Sequence, residues 1–212
     1  MDSSVGIVAE RTGLLVVDMV RALVDPDVSG YDSAGSAAAA QCRRVLDASR
    51  AAGMPVWFSR GGKRWHTSTG SSLAEVERGG WLQKNGWVRE SGEQADLAMV
   101  IAPELAPIAG EVVITKSKPS AFFATPLVSQ LLAAQVSTLV VVGMMTSGCV
   151  RATVTDAFSH NLQVILPVEC LADRDAAAHE ANLKDMGLKY TTLWSVDDLL
   201  TALRECSTSA SV

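Results

Sequence analysis

The chain has 212 residues, 48% of them hydrophobic and 19% charged, enough to bury a full core and too apolar for a disordered chain. A net charge of −5 without a Lys/Arg cluster excludes a nucleic-acid groove, and no apolar run is long enough to span a bilayer. The four cysteines, Cys42, Cys149, Cys170 and Cys206, lack CxxC spacing and histidine companions, which argues against both a zinc site and a disulfide scaffold. Residues 1–212 read as one domain with its core at about 12–205. Met1 to Glu10 has neither a basic n-region nor an apolar h-region, so a reducing, cytoplasmic setting is expected.

Thr12–Asp18 is an apolar run ending in an acid and predicts the first buried strand. A loop, Pro26–Ser33, leads to an Ala-rich helix over about Ala34 to Ala52, stopped by Gly53; Pro55–Ser59 is the second strand. Arg60 to Glu104 is irregular and carries Trp65, Trp81 and Trp87; long irregular stretches in compact domains are usually functional or interfacial, and interface packing is preferred for these rings. Glu111–Thr115 is the third strand and Pro126–Ala134 a helix. Leu139–Val142 is a fourth strand buried on both faces, followed by a tight Thr146-Ser147-Gly148 turn. From Cys149, apolar residues at Val150, Val154 and Phe158 mark one face of a helix. Gln163–Val168 is the fifth strand, Asp175–Met186 a helix and Lys189–Trp194 the sixth strand. Ser195 caps a last helix into Arg204, and the residues from Ser207 read as a frayed tail.

Six apolar strands alternating with helices predict an α/β fold of three layers, α-β-α, around a mainly parallel sheet. Such sheets bind ligands beyond the carboxyl ends of their strands, at a switch in strand order. Asp18, Lys116 and Cys149 follow strands one, three and four, and Arg174 lies shortly after strand five, so all four fall on one rim. A thiol at a helix N-terminus near an ammonium is favoured as thiolate, and a carboxylate beside it can take its proton and return it to a leaving amine. Backbone N–H groups of the turn before Cys149 would hold an oxyanion. Read singly, Cys149 also fits a small buried apolar cysteine, Asp18 a paired strand-end acid and Lys116 a solvated lysine. Their joint position on one rim favours the chemical reading.

The segments VVDM around Asp18, TKSKPSAFFATPL from Thr115 and GMMTSGCVRATVTDAF from Gly143 resemble the isochorismatase-like cysteine hydrolases, over about Thr12 to Leu203. Together with ADRDAAAHEANLKDMGLKY from Ala172, they resemble the N-carbamoylsarcosine and maleamate amidohydrolase branch. The resemblance implies a six-stranded parallel sheet, assembly as a homodimer or homotetramer, and a catalytic triad on Asp18, Lys116 and Cys149. It also implies that Arg174 holds a substrate carboxylate, and that a cis Met144–Met145 peptide aims the Met145 amide, with that of Cys149, into the oxyanion hole. The chain departs from the pattern in three places. Met145 stands where threonine is usual, and Met19, Val20 and Leu23 make aliphatic a pocket wall that is commonly aromatic and polar. His66 falls where related nicotinamidases place metal ligands, but without their spacing, so no metal and no cofactor is expected. Phe122 is the aromatic chosen for the pocket over Phe123. His179 reads as a helix-start histidine making structural bonds, with substrate steering as the other reading, and Trp57 as core. Cys42, Cys170 and Cys206 read as structural or surface.

The expectation is a cysteine-dependent amidohydrolase that cleaves the C–N bond of a small carboxylate-bearing amide or N-carbamoyl compound through a thioester, releasing ammonia. Its alternatives are a same-fold hydrolase of another substrate class, such as an isochorismatase, and a catalytically silent binding module.

Overall fold

The computed structural model describes residues 7–25, 34–61, 97 and 99–209. Trp65, Trp81, Trp87, His66 and the loop Pro26–Ser33 lie outside the described residues. The sheet is built from β1 (Thr12–Val17), β2 (Val56–Gly61), β3 (Val112–Lys116), β4 (Thr138–Met144), β5 (Gln163–Pro167) and β7 (Thr192–Trp194). They lie in the order β3-β2-β1-β4-β5-β7, and every adjacent pair is parallel. The three-layer expectation is borne out, with one addition. A two-residue strand, β6 (Leu171–Ala172), pairs with the end of β4, Gly143 to Leu171 and Met144 to Ala172. Two residues carry too little alternation to signal a strand in sequence.

Alternation along the strands sorts their side chains into two layers. Leu14, Val16, Phe58, Val140 and Val142 pack with Cys42 and Leu46 of α2 (Ala34–Ala51) and with Leu199 and Leu203 of α6 (Val196–Ser209). Leu15, Val17, Trp57, Ile114 and Val141 face the other way. They meet Leu127 and Leu131 of α3 (Leu127–Ala133), Val154 and Ala157 of α4 (Arg151–Ser159) and Met186 of α5 (Ala176–Lys189). Each face thus buries an apolar stripe of helices, the reason the strands read as continuous hydrophobic runs.

Some boundaries differ from the sequence reading. A one-turn helix, α1 (Arg21–Val24), follows β1. Helix α5 continues to Lys189, so the last strand begins only at Thr192. Gly187 makes room for that extension, since a Cβ there would come within 2.8 Å of the Leu193 side chain. Helix α6 continues to Ser209 rather than ending at Arg204.

The chain moves outward from β1 to β2 and β3, then returns to lay β4 against the other side of β1. The strand order therefore reverses between β1 and β4, and a crevice is expected at their carboxyl ends. The two strands lie very close there. Gly143 has φ 122°, and a Cβ on it would fall 2.0 Å from the Val17 carbonyl oxygen. Only glycine satisfies both the backbone and the space.

Candidate active site

Alternation would send Asp18 into the α2/α6 layer with Val16. Its backbone instead adopts φ 51°, a left-handed conformation uncommon for a non-glycine residue. The turn carries the carboxylate to the opposite side, where Ser59 of β2 and Lys116 of β3 project. Ser59 Oγ donates to Asp18 Oδ1 at 2.9 Å, and the Asp18 amide donates to the Ser59 carbonyl at 3.0 Å. Lys116 reaches across β2 and sets its ammonium 2.7 Å from Asp18 Oδ2 and 3.3 Å from Cys149 Sγ. A further bond from Lys116 Nζ to the Lys118 carbonyl, 3.2 Å long, orients the amine from its own chain. Asp18, Ser59 and Lys116 are fully buried, and Cys149 keeps 4% of its surface.

Burial and two neighbouring charges act on the Cys149 sulfur together. Burial is the largest influence on the Cys149 thiol and raises its pKa; the Asp18 charge raises it further, and Lys116 opposes both without prevailing. Burial and the Asp18 charge thus work against the thiolate that the ammonium and helix end favour. Burial alone would lower the Lys116 pKa, but Asp18 and Cys149 together hold it above its ordinary value. The Lys116 ammonium thus sits between the Asp18 carboxylate and the Cys149 sulfur. Such a set can move the thiol proton to the carboxylate as the sulfur attacks an electrophile, with the ammonium balancing the negative charge throughout.

The peptide joining Met144 to Met145 is cis. After it, Thr146–Val150 forms a single π turn in which the Val150 amide donates to the Met145 carbonyl at 3.2 Å. Met144 and Met145 pack in the α2/α6 layer, whereas Cys149 and Val150 pack in the α3/α4/α5 layer, so this loop crosses the edge of the sheet.

Arg174 is exposed and follows β6 rather than β5, two residues past the pairing with Met144. Met19 is fully buried in the α2/α6 layer, and its carbonyl accepts from the Ala102 amide. Phe122 stacks on His160 with ring centroids 5.4 Å apart. His160 caps the far end of α4, and Phe122 itself is buried in the same apolar layer as Cys149. Phe123 is 57% exposed. His179 approaches Thr146, with Nδ1 2.8 Å from Oγ1. Among the described residues, no three His, Cys, Asp or Glu side chains form a metal-ligating group. Sequence reasoning missed Ser59. The available signal was its place in β2: two positions beyond Trp57, it shares that ring's face at the carboxyl end of the strand.

A buried Asp–Lys–Cys contact lies at the switch point of the parallel sheet, in an α/β protein whose strand ends gather these three groups. The isochorismatase domain matches residues 12–198, and the chain belongs to that family. It is 34% identical over 210 residues to a maleamate amidohydrolase of Pseudomonas putida, covering 96% of this chain and 94% of that protein. Identity to an N-carbamoylsarcosine amidase of an Arthrobacter species is 33% over 159 residues, 74% of this chain and 58% of that protein. Among solved structures, a cysteine hydrolase from Pseudomonas syringae superposes with a TM-score of 0.81 at 22% identity, covering 97% of this chain and all of that one. An N-carbamoylsarcosine amidase from Thermoplasma acidophilum gives 0.69 at 24% identity, with 88% and 97% covered.

Proposed function

We propose that the protein is an amidohydrolase that cleaves the C–N bond of a small carboxylate-bearing amide or N-carbamoyl compound through a thioester on Cys149. The observation that carries this reading is the unbroken contact from Asp18 through Lys116 to the Cys149 sulfur. The names of the relatives, which act on maleamate, N-carbamoylsarcosine and ureidoacrylate, support the substrate class.

Asp18 takes the thiol proton as sulfur bonds to the substrate carbonyl carbon. The amides of Met145 and Cys149 stabilise the resulting oxyanion, a contribution commonly worth about 3–4 kcal/mol. Collapse breaks the C–N bond, and the nitrogen leaves as ammonia with the proton held by Asp18. Water then attacks the thioester and gives a proton to the same carboxylate, which returns it to sulfur as the acid product leaves. Lys116 stays charged and compensates Asp18 at each stage. Arg174 pairs with the substrate carboxylate as a planar fork. The enzyme works without cofactor in the cytoplasm as a homodimer or homotetramer; no described helix is long and apolar enough to cross a membrane.

The test is ammonia release across small N-carbamoyl amino acids, maleamate and related amides, with Cys149→Ala as the blank. Turnover is expected for at least one carboxylate-bearing amide, with none for its neutral analogue and none for the variant. Equal turnover of acid and neutral amides would remove Arg174 from its role, and no ammonia from any of them would refute the reading.

A further inference from the structure

The segment bearing Arg174 is tied to the loop bearing Cys149 by bonds that none of the chemistry above uses. Strand β6 pairs with the last residues of β4, which sets the height of Ala172 beside Met144. Thr146 Oγ1 then donates to the Ala172 carbonyl at 3.1 Å. A hydroxyl has one proton, so towards His179 the same oxygen accepts, and His179 Nδ1 carries the hydrogen across 2.8 Å. On the next residue, the Ser147 amide donates to Asp173 Oδ2 at 2.7 Å. Asp175 caps α5 by accepting from the Ala178 amide at 3.0 Å, which anchors the start of the helix that presents His179. Arg174 lies between Asp173 and Asp175, and Cys149 lies two residues past Ser147.

We propose that Thr146, Asp173 and His179 are specificity-determining positioning residues that hold Arg174 at a set distance from the Cys149 sulfur. The enzyme thereby selects substrates by the number of carbons between carboxylate and amide. This rests on the carboxylate role assigned to Arg174 above. A substrate gripped at both ends must match the span between the two grips. One that is a methylene too long or too short misplaces its carbonyl, and a single methylene commonly decides about 10- to 200-fold in kcat/KM. A tie through side chains on both segments keeps that span from relaxing to suit the substrate.

The experiment measures kcat/KM for the monoamides of linear dicarboxylic acids of two to six carbons. For the wild-type protein one length is expected to exceed its neighbours by about tenfold or more. His179→Leu and Thr146→Val should lower the favoured rate and shrink that ratio to about threefold or less. His179→Asn, whose amide N–H can stand in for Nδ1, and Thr146→Ser should retain the ratio. Asp173→Ala, at the more exposed end of the tie, tests the same point where a buried change disturbs folding. Variants that lose rate equally at every length would reduce these bonds to fold support and overturn the proposal. A wild-type protein that hydrolyses several lengths equally well would overturn it too, while leaving the amidohydrolase reading intact. No turnover of any monoamide or N-carbamoyl acid would instead refute the proposed function, and this inference with it.

Discussion

Two ion pairs, one half-buried and one fully buried, flank β3 at its two ends and are built differently. At the amino-terminal edge of β3, Arg50 of α2 meets Glu111 as a fork, with Nε–Oε1 at 2.8 Å and Nη2–Oε2 at 2.9 Å. The Ala106 carbonyl accepts a further bond from Arg50, and the Ile108 amide donates to Glu111. Donors and acceptors are matched, and the side chains keep 17% and 8% of their surface. At the carboxyl edge, Asp18 and Lys116 keep none, and the lysine divides its donors between a carboxylate, a carbonyl and a thiol. Burying two charges costs several kcal/mol per ion and is repaid only by good geometry and full hydrogen bonding. The first pair meets that condition and fastens α2 to β3. The second is shared with the Cys149 sulfur, an arrangement better suited to moving a proton than to holding a fold.

The comparison can be broken first at the acid. Asp18→Asn should cut kcat/KM for the best amide by about 10³-fold, the scale of a lost general base, and, by leaving the buried Lys116 ammonium uncompensated, should also cost about 3–5 kcal/mol in urea unfolding. Comparable activity in that variant would make the buried pair structural like the other. Lys116→Met should cost about 3–5 kcal/mol in urea unfolding, because Asp18 is left as an uncompensated buried charge. The Asp18→Asn/Lys116→Met double variant should recover much of that loss. Ser59→Ala should lower kcat/KM about tenfold by removing one charge-assisted bond to Asp18, and Ser59→Thr should restore it.

The smallest effect concerns the fork and pH. Burial would raise the Glu111 pKa, but the hydrogen bond from Arg50 and the Ile108 amide bring it below the ordinary carboxylate value. A group lowered in the folded state contributes stability above its unfolded pKa, about 4.3, and loses it as pH falls through the folded value. Glu111→Gln should therefore be less stable than wild type by about 1 kcal/mol near neutrality, with the gap closing below about pH 4. A gap that persists at pH 3 would place its origin in packing.

The strand ends that carry Asp18, Lys116 and Cys149 were legible because each follows an uncharged β-rich run, and alternation with helices leaves few ways to arrange such runs. What was not legible depends on neighbours distant in sequence. Ser59 is one small polar residue at the end of a strand until β1 lies beside it. The left-handed turn at Asp18 has no glycine to announce it. The balance at Cys149 depends on burial, which no spacing reports. Thr146 and His179 are 33 residues apart and meet only because β6 returns to β4. Phe122 and Phe123 are adjacent and both apolar, and only the fold shows that Phe122 turns inward while Phe123 stays exposed.

The crossing of the sheet edge by the cysteine loop has a consequence for how such an enzyme can be tuned. With Met145 rooted among the residues of α2 and α6 and Cys149 among those of α3, α4 and α5, a methyl group gained or lost deep in either half reaches the reactive turn from its own side. Random mutagenesis selected for new amides should therefore collect its beneficial changes in both interiors, many of them far from any atom of the substrate.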